Sequence, residues 1–166
     1  MTGKSLFLFL SALLSIIPSP CSSQDGSSSH AQGYVFVAPG LQTHEEMVSG
    51  TLHFGGGGEA FIIHKGLAAG AEIGYVMPWR SPADGIGILS LDGSYHLPRG
   101  SKLALFVTGG YSLGFGDGTA NFLNLGGGAT YWFMKKEGVR FEVRNHVSTA
   151  SYRTDYLDFR LGFAFR

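Results

Sequence analysis

Along most of the chain, apolar and non-apolar residues alternate one by one. In the stretch from Tyr156 to Phe165, Leu157, Phe159, Leu161, Phe163 and Phe165 share one face, and Asp158, Arg160, Gly162 and Ala164 share the other. The segment before it repeats the pattern, with Val139, Phe141, Val143 and Val147 set against Arg140, Glu142, Arg144 and His146; Asn145 is the one discordant residue. Alternation is the period of a strand with two unlike faces, and no sustained period of 3.6 competes with it. It predicts eight strands: Gly33–Pro39, Gly50–Ile63, Leu67–Trp79, Gly85–Leu97, Lys102–Phe115, Thr119–Met134, Gly138–Ser148 and Tyr156–Phe165. Several exceed the ordinary strand of about 5–6 residues. They suit a tilted strand crossing a bilayer, which needs about 9–11.

The connections also alternate. His64-Lys65-Gly66, Pro98-Arg99-Gly100-Ser101 and Lys135-Lys136-Glu137 are short and basic. Those near 40–49, 80–84, 116–118 and 149–155 are polar and longer on average. Short turns on one side and longer loops on the other are the layout of an up-and-down transmembrane barrel. The expected fold is therefore all-β, an eight-stranded antiparallel barrel, with both termini on the short-turn side.

The first 23 residues stand apart from this pattern. Lys4 precedes a largely apolar run from Leu6 to Ile17, too short to span a bilayer comfortably and suited to a cleavable signal peptide. Pro18 and Pro20 break any helix, and Cys21-Ser22-Ser23 offers small residues for cleavage. Lipidation of Cys21 is the rival reading, against which Pro18-Ser19-Pro20 departs from a lipoprotein signal. Cys21 is the sole cysteine, so cleavage after Ser23 leaves neither a disulfide nor a thiol nucleophile. Residues 24–32 read as a polar leader and 33–166 as the barrel domain. No apolar run of membrane-helix length follows the signal segment.

Composition then bears on which face meets water. Of 166 residues 26 are glycine, only 14% are charged, and 12 basic side chains balance 12 acidic ones. Aromatics at 13% exclude a disordered chain, and nothing in the charge balance invites nucleic acid. The non-apolar faces are small: Ala68, Gly70, Glu72, Gly74 and Val76 in one strand, Asn124, Gly126, Gly128, Thr130 and Trp132 in another. A water-exposed surface would carry more Lys and Glu, so these faces fit a crowded lumen. By parity the lumen holds Glu59, Glu72, Asp92, Glu142 and Asp158 with Lys102, Arg140, Arg144 and Arg160. An eight-stranded barrel is just wide enough for such side chains to fill, which argues against a wide solute channel. On the other face, Tyr34, Tyr95, Tyr131, Phe133, Phe163 and Phe165 gather near the short turns. Trp79, Tyr111, Phe115 and Tyr156 gather near the loops, completing two interfacial girdles. A soluble, exported, lipocalin-like ligand-binding barrel would alternate too, with its apolar face inward.

The run from Gly33 to Arg166, with its glycine-rich strands and terminal FRLGFAFR, resembles the small outer-membrane β-barrel family that includes OmpA-like transmembrane domains. Members usually end on an aromatic residue, whereas here Arg166 follows Phe165. The resemblance implies a Gram-negative-type outer membrane, contact with lipids and lipopolysaccharide, and delivery by the barrel-assembly machinery. It implies a structural or surface-interaction role without a catalytic cycle or cofactor. Short loops leave little area for a tight protein partner, so a monomer is expected.

Three motifs invite chemistry. Phe54-Gly55-Gly56-Gly57-Gly58-Glu59 has the glycines of a phosphate loop but lacks its Lys-Ser/Thr pair and following helix. His44-Glu45-Glu46 lacks the second histidine of a metalloprotease helix, and His53, His64 and His96 show no metal-site spacing. In Arg144-Asn145-His146-Val147-Ser148-Thr149-Ala150, the His-x-Ser pair resembles that of outer-membrane lipid A deacylases. That resemblance implies an esterase with Ser148 as nucleophile, His146 as base and Asp155 or Asp158 as the orienting acid. Parity puts His146 and Ser148 on the lumen face, and only a β-bulge near Asn145 would turn them outward. Otherwise His146 caps the lumen ion pairs.

Overall fold

Each alternating segment pairs with the next, and the last returns to the first. The computed structural model describes residues 31–44, 47–63, 66–97, 102–150 and 154–166. Its strands are β1 (Ala31–His44), β2 (Met47–Ile63), β3 (Leu67–Pro78), β4 (Ile86–His96), β5 (Leu103–Phe115), β6 (Thr119–Trp132), β7 (Glu137–Ser148) and β8 (Thr154–Phe165). They form a closed barrel in chain order with antiparallel neighbours. Closure satisfies every strand edge, the condition for a sheet in hydrocarbon. The β1–β8 ladder skips Ala38 and Pro39, the latter having no N–H to give. The turn before β3 uses Gly66 at φ 91, a left-handed conformation that glycine adopts without strain.

The predicted signal segment 1–23, Cys21 included, and nearly all of the leader lie outside the described residues. Ala31 and Gln32, read as the leader's end, belong instead to β1, opposite Ala60 and Glu59. The larger correction is at the first loop. Residues 40–44 and 47–49 continue β1 and β2 as a paired hairpin, with His44 opposite Met47. Backbone pairing needs no apolar face, so polar Gln42, Thr43 and Ser49 stay in the ladder. The expected contrast between short turns and long loops shrinks accordingly. Connections are short at both ends of the barrel, and the longest runs from residue 79 to 85, including one 3₁₀ turn at Pro82–Asp84.

Apolar side chains point out and polar ones in. Val35, Leu91, Leu105, Leu125, Phe141 and Phe159 are exposed on the wall, whereas Glu72, Arg144, His146 and Asp158 are buried. This inverts a lipocalin and removes the soluble-barrel alternative, since the charges would then face water. Tyr95, Tyr131, Phe133, Phe163 and Phe165 stand outside at the terminus end; Trp79, Tyr111 and Phe115 do so at the loop end. Tyr34 and Tyr156, expected in these girdles, are buried inside. They share parity with Phe36 and Asp158, and the Tyr34 hydroxyl donates to Glu72 at 2.9 Å.

Two apolar clusters pack inside the barrel. Tyr34, Phe36, Ala38, Ala104, Trp132 and Ala164 cluster toward the terminus end. Val76, Ile88, Phe122 and Tyr156 do so toward the loop end. The other buried positions of the interior are mostly polar, interleaved with these clusters.

Candidate functional site: the charged lumen

The core is a chain of alternating charge along the barrel axis. Its lowest member, Glu59 of β2, takes Nη1 of Arg140 at 2.9 Å and faces His96 Nε2 at 3.0 Å. Gln32 and Ser94 also donate to it. Arg140 passes the chain to Glu142 at 3.2 Å, its guanidinium lying 3.8 Å from the Phe106 ring centroid and 4.3 Å from that of Tyr34. Glu142 takes Nε of Arg144 at 2.5 Å, and Arg144 reaches Asp92 at 2.8 Å and Glu72 at 3.5 Å. Glu72 receives Nη1 of Arg160 on both oxygens, at 2.8 and 2.9 Å. Arg160 then meets Asp158 at 3.3 Å, and Asp158 meets His53 Nδ1 at 2.6 Å.

The strand period makes this possible. Arg140, Glu142, Arg144 and His146 are successive inward positions of β7, so neighbours of opposite sign stack at a two-residue repeat. Inward glycines supply the room. A Cβ on Gly74 would lie 2.4 Å from His53 Nε2, and one on Gly57 would lie 2.9 Å from the Tyr34 hydroxyl. The four glycines once weighed as a phosphate loop lie mid-strand in β2, with no helix behind them.

Of the nine residues placed in the lumen by parity, the structure joins eight. Lys102 is the exception: it precedes β5 and is exposed, because parity has no meaning past the strand end. Histidines fill in where it does not reach. His53 and His96 each face a lumen carboxylate, a role their sequence spacing gave no reason to expect.

The His146–Ser148 pair stays inside. Asn145 pairs in unbroken register with Leu125 and Leu157, so no bulge turns the segment, and Asn145 itself is exposed on the wall. The described irregularity is in β2, between Phe61 and Ile63. His146 is fully buried, with Nδ1 3.3 Å from Ser112 Oγ and Nε2 3.1 Å from an Arg160 nitrogen. Ser148 Oγ accepts from the Ala150 N–H at 3.2 Å. Asp155 takes the Ser148 N–H at 3.0 Å, and Asp158 stands 3.8 Å from His146. Among the described residues no hydrogen bond links His146 to Ser148, the contact on which nucleophile activation depends.

An apolar wall around a charged, closed interior is the arrangement of a barrel whose solvent is hydrocarbon. Solved structures share the fold. Neisserial surface protein A superposes with a TM-score of 0.67 at 12% identity, over 84% of this chain and 99% of that one. The fold is that of the small eight-stranded outer-membrane barrels. Within that group, the N-terminal barrel domain of Pseudomonas aeruginosa OprF matches at 0.53 and 16% identity, over 81% and 99%. The outer membrane enzyme PagL matches at 0.51 and 14%, over 79% and 99%. No family profile matches the sequence. No curated protein matches it either.

Proposed function

We propose that the chain is an outer-membrane barrel with a structural or surface-interaction role, and neither a solute channel nor an esterase. The observation that carries this reading is the lumen itself. A continuous ion-pair chain from Glu59 to Asp158 runs through the interior, interleaved with two apolar clusters. Such a filling supports the wall and leaves no aqueous path. The proposed partners are membrane lipids and lipopolysaccharide along the apolar wall, with the assembly machinery needed only for insertion. The two residues that an esterase would present to lipid face inward, each engaged by other groups.

The test is expression in a Gram-negative host, followed by membrane fractionation, gel mobility with and without boiling in SDS, and mass spectrometry of lipid A. The protein is expected in the outer membrane, to shift on boiling, and to leave lipid A unaltered. Recovery in the soluble fraction would overturn the reading. So would loss of an acyl chain from lipid A that Ser148→Ala abolishes.

A further inference from the structure

Three potential metal ligands meet in the upper lumen from strands that include the second and the last of the chain. His53 of β2, His146 of β7 and Asp158 of β8 are all buried, and one ligand atom from each lies within 4.8 Å of the others. The geometry points to a binding site for a single divalent transition-metal ion, of the zinc or cobalt class, held by these three side chains.

Distances come first. Asp158 Oδ2 is 2.6 Å from His53 Nδ1 and 3.8 Å from His146 Nε2. Tetrahedral zinc with bonds of about 2.0–2.2 Å needs ligand atoms about 3.4 Å apart. These two separations bracket that figure and no pair of ligand atoms exceeds 4.8 Å; for the ion to bind through Nδ1, His53 gives up the proton of its bond to Asp158.

The tautomer of His146 is already set. Its Nε2 faces Arg160, which can only donate, so that nitrogen carries the lone pair and Nδ1 carries the proton. Ser112 Oγ stands 3.3 Å from Nδ1, and is itself held by Ser90 and Asn124 at 2.8 Å each. A ligand histidine anchored through its other nitrogen is the usual outer-shell arrangement of a metal site.

Charge provides a second, independent argument. Among the described residues the lumen holds five carboxylates (Glu59, Glu72, Asp92, Glu142, Asp158) and three guanidiniums (Arg140, Arg144, Arg160). Carboxylates thus outnumber guanidiniums by two, and uncompensated charge in a buried site is costly. One divalent ion removes that excess. Asp158 also keeps a fully buried oxygen, Oδ1, without a hydrogen-bond partner, and the neighbouring Thr51 Oγ1 has none either. Both converge on Gly40, where a Cβ would stand 2.8 Å from each.

Arg160 competes for the same atoms, with Nη2 at 3.1 Å from His146 and 3.3 Å from Asp158. Metal entry displaces Nη2, while Nη1 keeps its two bonds to Glu72.

The experiment is refolding of the untagged protein in detergent with Co²⁺ or Zn²⁺ present, removal of free metal by gel filtration, and elemental analysis. The expected result is a single ion per chain, with tetrahedral visible absorption for Co²⁺, and its loss in His53→Gln and His146→Gln. The gel shift on boiling verifies that both variants fold. Should one fail to fold, the wild-type protein decides alone: Zn²⁺ present during refolding raises its urea midpoint. Wild-type protein that retains no metal overturns the proposal. Metal retained equally by both folded variants also overturns it, by placing the ion elsewhere.

Discussion

Removing the Arg144 side chain tests whether the ion-pair chain holds the barrel together. Arg144 is 1% exposed and bonds Glu142 at 2.5 Å and Asp92 at 2.8 Å, with Glu72 at 3.5 Å. Arg144→Met keeps most of the volume and deletes the cation, so three carboxylates lose a shared partner within a sealed core. Breaking a buried pair from one side costs about 3–5 kcal/mol, because the remaining charge is left uncompensated. With a urea dependence near 1.5 kcal/mol per M, in the ordinary range, the unfolding midpoint falls by about 2–3 M. The assay is urea titration of refolded protein in lipid vesicles, followed by tryptophan fluorescence and the gel shift. Trp132 lies buried at the terminus end of the lumen and Trp79 exposed at the loop end, so the fluorescence senses opposite ends of the barrel. Adding Glu142→Gln to Arg144→Met should recover part of the loss by removing one orphaned charge. A loss below about 1 kcal/mol for the single variant, the size of an exposed pair, would show that the lumen is wet and the reasoning wrong.

Three other substitutions probe the wall and, at Gly128, the lumen face. Asn145→Leu, on an exposed wall position between Leu125 and Leu157, should stabilise the barrel in vesicles by about 1–2 kcal/mol, the cost of an amide in hydrocarbon; destabilisation would mean that the side chain has a partner. Gly128→Ala places a Cβ 2.0 Å from the Phe141 carbonyl oxygen, which belongs to the backbone and cannot step aside. It should cost about 1–3 kcal/mol in the same urea titration. Gly58→Ala faces outward with its nearest neighbour at 3.6 Å, and should be neutral or gain up to about 1 kcal/mol.

The barrel was legible because lipid outside and ions inside impose the same two-residue period on every strand. From Arg140 to His146, and from Asp158 to Ala164, parity alone assigns each side chain to wall or lumen. It fails where the period loses its physical cause. Lys102 sits past the strand end, and at Leu41 to His44 the ladder outruns the apolar pattern. Tyr34 and Tyr156 were misplaced by chemistry rather than parity: a tyrosine suits an interface, yet a hydroxyl beside Glu72 suits a polar core equally well. The meeting of His53, His146 and Asp158 was out of reach for a different reason. It depends on closure of β8 onto β1 and on the stagger between strands, which no local spacing encodes.

That same closure limits what the interior can do. An axial path would have to break the links from Glu59 through Arg140, Glu142, Arg144, Glu72 and Arg160 to Asp158, each costing about 3–5 kcal/mol if its partner stays behind. Opening even two of these links costs as much as a typical domain's whole stability of about 5–15 kcal/mol. Partial opening is therefore costly, and the apolar side chains of Phe36, Phe122, Trp132 and Tyr156 packed in the interior add to that cost. On the function proposed above, the interior serves as a core and not as a passage. The remaining places for interaction are the wall, with Asn145 as its polar exception, and the connections at the rims.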